Sequence, residues 1–395
     1  MLIVLDKADR YINAADIPVK EKSHQYYCPA CRKPVIFRSG PRTIAHFAHQ
    51  KNEACIVKGE PETIDHLTGK QLIYNWVQSF SETAELEKYL PSIKQRPDVY
   101  AVYNKHPYAI EYQCSPLGVD IFQERTRGYK NIGIEPIWCF HERFIRRKGE
   151  YLWSLNSILQ SAIRRTGKHT LPYLLFHTPV LPAKMTILYN LIPFSKDQWF
   201  GQIRQISCSP NTTITFHQIL QIPSARCSYL AEWFRKRTNL IRNQLRYQGF
   251  KSVLNRELYQ YGLFPQSLPD FIGIPMPHGY MFHMSALEWQ GLLYIDLLTV
   301  QKKWGVIRRE IIQKCFVNRV KQNEIILTIT PFILQDIMAA LDEYLEFLEK
   351  IEYLRKINDN HYIIEYSFNN TESRPIILKR ILDLVEGYSE VNGEM

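Results

Sequence analysis

The chain has 395 residues and no long apolar run. Its opening stretch, "MLIVLDKADR", is apolar for only five residues before Asp6 and Lys7 interrupt it, too short for a signal-peptide core and far short of the roughly 20 residues of a spanning helix. A cytoplasmic protein with no membrane span is the expectation. Cysteine is sparse: eight thiols scattered along the chain, with no secretory signal, argue for a reducing compartment and against a disulfide framework. No internal repeat is present, which excludes solenoids and propellers. No low-complexity linker occurs either, so domain boundaries have to be read from changes of pattern. Acidic residues are in deficit, 39 against 49 Lys and Arg, for a formal charge of +10. That balance favours an acidic partner such as nucleic acid or an anionic membrane surface, and it equally suits a basic enzyme with a solvated cationic face.

At 45% hydrophobic residues the chain can bury a sizeable core and divide into two or three domains. Residues 1–60 are short and turn-rich and hold a cluster of Cys and His; "KGEPET" marks a break after them. From Glu62 to Phe80, Ile64, Leu67, Leu72, Ile73 and Trp76 recur at helical spacing, with Gly69 a local weak point. A hairpin follows, then "DIFQERTRGYKN", whose Ile121, Phe122 and Tyr129 oppose Arg125, Arg127 and Lys130, and then the buried-strand candidate "IEPIWCF". Further strands are expected in "LPYLLFHTPV" and "MTILYNLIPF". The order helix, strand, strand, helix, strand indicates a mixed α/β domain over 61–215. Long helical patterns, "SYLAEWFRKRTNLIRNQLRYQGF" and "PFILQDIMAALDEYLEFLEKIEYLRKI", indicate a separate all-α domain over 220–395. Between them "LPDFIGIPMPHGYMFHMSALEWQG", rich in Pro, aromatics and Met, reads as a loop packed against helices; His278 and His283 within it have no Cys or carboxylate neighbours to make a metal site.

The N-terminal cluster comprises Cys28-x-x-Cys31, His46-x-x-His49 and Cys55. A Cys-x-x-Cys turn presents two thiolates to one tetrahedral ion, and two ligands further on complete a structural zinc site whose binding energy replaces a missing hydrophobic core. There is one ligand too many. Cys28, Cys31, His49 and Cys55 are the expected set, with His46 as the alternative third ligand or as a residue orienting a ligand from behind. Arg32, Lys33, Arg38 and Arg42 would let the same module contact DNA; a purely structural clip is the simpler reading.

The hairpin "RPDVYAVYNKHPYAIEYQCS" carries one carboxylate per strand on an aromatic and aliphatic background. A two-residue turn at Asn104-Lys105 sets Tyr103 opposite His106, and counting outward puts Asp98 opposite Glu111 on the same face, Cβ atoms about 5 Å apart. A four-residue turn leaves the pair on one face, since strands alternate with period two. Paired carboxylates repel unless something positive lies between them, and oxygen ligands at this spacing suit Mg²⁺ or Mn²⁺. Gln113 shares the face of Glu111. On the preceding helix Glu62, His66 and Lys70 fall at i, i+4 and i+8, on one side. A third carboxylate, a histidine and a cation aimed at the hairpin make a phosphodiesterase-like arrangement. Without a metal the same residues read as a strand-entry Asp paired to Arg96, a solvent-facing Glu and a solvated helix face.

The combination "CPAC…HFAH…C", "ETIDHLTGK", "RPDV", "IEYQCS", "ERTRGYKNIGIEPIW" and "LPDFIGIP" resembles the CoiA family of competence proteins of Gram-positive bacteria, over most of the chain. The resemblance implies a zinc-finger-like N-terminal module, a restriction-endonuclease-like PD-(D/E)xK core and a helical C-terminal domain. It also implies a cytoplasmic role in DNA uptake and recombination during transformation, with single-stranded DNA or recombination intermediates and recombination proteins as partners. Residue by residue, Asp98 and Glu111 take the places of the two strand carboxylates that hold Mg²⁺, Glu62 that of the helix carboxylate, and His66 and Lys70 match the helix motif. The departure is Gln113, which stands where the superfamily has Lys; a neutral amide can only hydrogen-bond. Lys70 or Arg125 would have to return the charge. As an enzyme, the protein would be a Mg²⁺-dependent DNA nuclease in which Gln113 positions the water and Lys70 counters phosphate charge. As a binding module, it would use the helix bearing Arg226, Arg235, Lys236, Arg237, Arg242 and Arg246, with Tyr229, Trp233 and Tyr247 available for stacking, to dock DNA or load a recombinase.

Overall fold

The structure, a computed structural model, describes residues 1–18, 25–41, 43–50, 55, 63–165, 172–208, 229–328, 337–365 and 379, with backbone alone at 43 and 244–248. The chain forms two compact units, one of residues 1–144, 174–188 and 203–220 and the other of 145–173, 189–202 and 221–395. No helix among the described residues is long and apolar enough to cross a membrane.

The first unit opens with a five-stranded antiparallel sheet. Strands β1 (Ile3–Leu5), β2 (Tyr11–Asn13), β3 (Tyr26–Tyr27), β4 (Pro34–Gly40) and β5 (Thr43–His49) lie in the order β2-β1-β3-β4-β5. The hydrophobic core that looked missing from this short segment exists: Val4, Ala14, Tyr26, Val35 and Phe47 pack together, with Cys28 buried among them. Strand alternation hides such a core from a reading that looks for longer apolar runs.

Helix α1 (Ile64–Gln78) follows, capped by Thr63, whose hydroxyl accepts from the backbone N–H of His66. Then come β6 (Thr83–Leu86), a strand not anticipated from "SETAELEKYL", and the hairpin β7 (Val99–Tyr103) and β8 (His106–Gln113). The register is the expected one, Tyr103 opposite His106 through to Val99 opposite Ile110, and the turn residues Asn104 and Lys105 both take positive φ, 50° and 62°, as a type I′ turn requires. Helix α2 (Val119–Asn131) crosses to β9 (Glu135–His141), which runs parallel to β8. Its buried face is Phe122, Thr126 and Tyr129; Ile121, assigned to that face from the sequence, is exposed. After β10 (Arg146–Arg147), β11 (Leu152–Ser154) and α3 (Ser157–Ser161) of the second unit, strand β12 (Tyr173–Thr178) pairs in parallel with β9. The strand order through this part is β12-β9-β8-β7-β6, so the ends of β8, β9 and β12 lie side by side.

Strands β13 (Lys184–Pro193) and β14 (Gln198–Ser207) contribute residues to both units. In the second, β10, β11 and β14 pair antiparallel. The helices there are α4 (Leu230–Gln248), α5 (Val253–Gln260), α6 (Ala286–Trp304), α7 (Arg309–Lys321) and α8 (Ile337–Lys350). A small antiparallel sheet of β15 (Ile307–Arg308), β17 (His361–Ile364) and β16 (Leu354–Asn358) joins these helices. The last helical pattern thus stops at Lys350 and its tail "YLRKI" turns into strand, Glu352 taking φ 64° at the change. The Pro-rich connection is packed as expected: Phe271, Ile272, Ile274, Met276, Met281 and Phe282 are all buried. Helix α4 corrects the DNA-tracking reading at three of its residues, while Arg235 and Arg242 are exposed; Arg246 and Tyr247 have side chains outside the described residues. Tyr229 and Trp233 pack with tilted rings against Phe200 in the core, and Arg237 is buried, donating to the carbonyls of Pro269 and Ile272. None of the three faces outward to meet a phosphate or a base; Arg226 lies outside the described residues.

Gly69 turns out to be an approach point. A Cβ there would sit 2.0 Å from Cε1 of Tyr112 on β8, so the missing side chain is what lets α1 lie on the sheet. Alanine is the better helix former by about 1 kcal/mol, yet Gly69→Ala is expected to destabilise the protein by about 1–3 kcal/mol through overpacking. Urea denaturation checks this: the midpoint should fall, and an unchanged or higher midpoint contradicts the packing account.

Candidate active site

Asp98 is the residue just before β7, and elements on three sides fix it. Its carbonyl accepts from Glu87 N–H at 3.1 Å, and its Oδ2 accepts from the backbone N–H of Tyr112 on β8 at 2.9 Å. Helix α1 supplies two further partners one turn apart. His66 Nε2 lies 3.1 Å from Oδ2 and Lys70 Nζ 3.5 Å from Oδ1. Against burial, which would raise it, the charges of His66 and Lys70 hold the Asp98 carboxyl well below the usual carboxylate range.

Glu111, on β8, takes its partners from α2. Arg125 Nη2 and the Tyr129 hydroxyl both donate to Oε1, the latter at 2.5 Å; Arg125 and Tyr129 are four apart and so share a helical face. The guanidinium stands 5.8 Å from the ring of Trp138, the residue opposite Glu111 on β9. Burial pushes the Glu111 carboxyl up; Arg125 opposes this, and the negative charge of Asp98 adds to it. Each carboxylate therefore has partners from a helix of its own, with at least one cation among them.

His66 and Lys70 both stand beside Asp98, and Glu111 is close enough to Asp98 to feel its charge. Glu62 lies outside the described residues. The amide nitrogen of Gln113 donates to the carbonyl of Ser115 at 2.7 Å. Lys70 is on the buried stripe of α1 with Leu67, Ile73 and Val77, not on a solvated face, and is 0% exposed. Its closest carboxylate is Glu87, at 2.5 Å from Oε1, a residue that sequence reasoning passed over. Tyr129, an apolar face residue by sequence pattern, also spends its hydroxyl on Glu111.

A divalent cation suits this donor set. Both groups are hard oxygen donors. Arg125 and Tyr129 engage Oε1 of Glu111, which leaves Oε2 without a partner among the described residues. Among the described residues Asp98 Oδ1 has the 3.5 Å approach of Lys70 alone, and the negative charge of Asp98 disfavours that of Glu111, a repulsion that a bound cation would offset.

The N-terminal cluster is a separate site in the same unit. Cys28 follows β3 in a tight knuckle, its N–H donating to the Lys33 carbonyl and its own carbonyl accepting from Arg32 N–H, both at 2.9 Å. His49 ends β5. Cys28, Cys31, His49 and Cys55 each bring a ligand atom to within 4.8 Å of the others. Cys28 Sγ is 3.9 Å from Cys55 Sγ and Cys31 Sγ is 3.2 Å from His49 Nε2, against edges of roughly 3.5–3.8 Å for a tetrahedron on Zn–S and Zn–N bonds. These four residues could hold a structural zinc ion. His46, three residues before His49, falls on the other side of the strand, where its Nδ1 lies 2.9 Å from the Ile44 carbonyl.

Sequence reasoning also missed a histidine pair across β9 and β12, where His141 stands opposite His177. The Tyr112 ring stacks between His66 and His141, centroids 6.1 and 6.3 Å away, and its hydroxyl donates to the His177 carbonyl. His177 is 1% exposed, and neither ring nitrogen has a hydrogen-bond partner among the described residues. Burial, helped by the charge of His141, pushes its pKa down to about 4. Unfolded, the imidazole would titrate near 6.5. The unfolded chain thus binds the extra proton first, so the contribution to stability is whole above pH 6.5 and is lost as the pH falls towards 4. The loss should reach about 3 kcal/mol. In His177→Phe the unfolding free energy should fall less steeply over that window than in the wild type, as read from urea denaturation at stepped pH. Parallel pH dependences would contradict the assignment.

Three models of known families match the chain in order. They are the competence protein CoiA N-terminal domain at residues 11–58, its nuclease-like domain at 62–223 and its C-terminal domain at 230–375. Asp98, Glu111, His66 and Lys70 fall in the second, and the Cys and His cluster in the first. A curated relative, the Competence protein CoiA of Bacillus subtilis (strain 168), is 26% identical over 371 residues, covering 91% of this chain and 95% of its own. No solved structure matches the chain. With all three domains present in order around this carboxylate and cation cluster, the chain belongs to the CoiA family of competence proteins.

Proposed function

We propose that this protein acts on incoming DNA in natural competence, as a Mg²⁺- or Mn²⁺-dependent nuclease whose carboxylates are Asp98 and Glu111. The observation that carries this reading is the convergence, within a segment that matches a nuclease-like domain, of those two carboxylates with the ammonium of Lys70, 3.5 Å from Asp98. Asp98 and Glu111 would hold the ion. When bound, it supplies Lewis-acid polarisation of a phosphate and a water of lowered pKa.

The chain's own groups do the rest. His66 and the Tyr112 N–H orient the Asp98 carboxylate, and Arg125 with Tyr129 orients that of Glu111. Lys70 is the cation that the strand lacks at Gln113; it arrives from α1 and offsets the charge that develops on the phosphate. Gln113, bound to Ser115, steadies the end of β8. In the zinc module the ion acts structurally. One zinc ion per chain is expected by elemental analysis, and Cys31→Ser should lose both the zinc and the thermal stability of the N-terminal sheet; a metal-free wild type of full stability would contradict this.

A second reading is that the same fold docks DNA or loads a recombinase without efficient hydrolysis. It is favoured by the presence of a protein cation against each carboxylate, His66 and Lys70 on Asp98 and Arg125 on Glu111. Cleavage of single- and double-stranded DNA by the purified protein separates the two. The nuclease reading expects Mg²⁺- or Mn²⁺-dependent cleavage that falls about 10²-fold or more in Asp98→Ala and in Glu111→Ala, with DNA binding retained. Absence of cleavage by the wild type, with both variants still failing in transformation, would favour the second reading.

A further inference from the structure

We propose that Glu87 is the positioning residue for Lys70, and that through it the N-terminal sheet forms part of the nuclease-like site. The inference rests on Asp98, Glu111 and Lys70 being the active set. Glu87 follows β6 at φ 53°, a left-handed conformation in which non-glycine residues are uncommon and which surrounding contacts must hold in place. Its side chain is 1% exposed and has two jobs, one per oxygen. Oε1 accepts from Lys70 Nζ at 2.5 Å; Oε2 accepts from the backbone N–H groups of Leu2 and Ile3, at 2.9 and 3.1 Å. Arg96 stands 4.0 Å from Oε2, and the Glu87 N–H donates to the Asp98 carbonyl at 3.1 Å.

The geometry makes a chain of support. Strand β1 pairs with β3 at Leu5 and Tyr27, the residue before Cys28, so the metal cluster steadies the strand that presents the Leu2 and Ile3 amides. Those amides fix the Glu87 carboxylate, which fixes Lys70 beside Asp98. A fully buried ammonium needs close, well-placed anions. With Glu87 in place, Lys70 keeps a partner when Asp98 turns its charge to a metal. Without it, Lys70 loses that 2.5 Å contact, and a displacement of about 1 Å can cost about 10²-fold in rate.

The test uses the full-length, zinc-replete protein and two readouts. In DNA cleavage with Mn²⁺, Glu87→Gln should lower kcat about 10²-fold while KM for DNA stays within about twofold. Glu87→Asp, which keeps the charge with a shorter reach, should recover part of the loss. Because Glu87 acts through Lys70, the double variant Glu87→Gln, Lys70→Gln should be no slower than Lys70→Gln alone. Independently of activity, hydrogen exchange at the Leu2 and Ile3 amides should quicken by about tenfold or more in Glu87→Gln. Multiplying kinetic effects, or an unchanged kcat, would overturn the positioning role, and unchanged exchange would overturn the tie to the N-terminal strand. A wild type that cleaves no DNA refutes the nuclease reading and the kinetic claim with it, whereas the exchange result still decides the structural tie by itself.

Discussion

The Asp98 carboxylate takes a hydrogen bond from the β8 backbone and two charged or titratable partners from α1. It is 13% exposed, and the charges of His66 and Lys70 with the Tyr112 N–H keep it ionised against the cost of desolvation. Much of the first unit is arranged to meet that demand. Gly69 brings α1 close enough to the sheet for His66 and Lys70 to reach; the Tyr112 ring fills the space beneath the helix; Glu87 secures the far side of Lys70. Glu111 repeats the solution with a different helix. Arg125 and Tyr129 of α2 do for it what α1 does for Asp98.

The site has a cation near Asp98 although β8 ends in Gln113 and not in a lysine. Gln113 is neutral, and its amide nitrogen donates to Ser115. The ammonium comes instead from one turn beyond His66 on the helix, and its placement depends on groups distant in sequence. Leu2 and Glu87 are 85 residues apart. The N-terminal strand is thus tied by its Leu2 and Ile3 N–H groups to the carboxylate that also holds Lys70.

What was legible in the sequence followed from short-range chemistry. The Asn104-Lys105 turn fixed the hairpin register, and the register fixed the neighbourhood of Asp98 and Glu111. The four residues Cys28, Cys31, His49 and Cys55 were legible from ligand spacing, with β-strand alternation then separating His49 from His46. Illegible were the features created by tertiary contact. Lys70 looked like part of a solvated ladder because its two acidic partners come from a bend and a turn after it. Tyr229, Trp233 and Arg237 looked like a DNA-facing set because one basic helix carries both an inward and an outward face, and only packing shows which is which. Glu87 carried no local signal at all, since its donors lie at the other end of the unit.

The central claim is that Asp98 and Glu111 form one divalent-metal site. Calorimetric titration of Mn²⁺ into the zinc-replete protein tests it without reliance on turnover. The account predicts a single class of site, lost in Asp98→Asn and in Glu111→Gln alike while each variant keeps its fold. Binding that survives both substitutions, or none in the wild type, would contradict it.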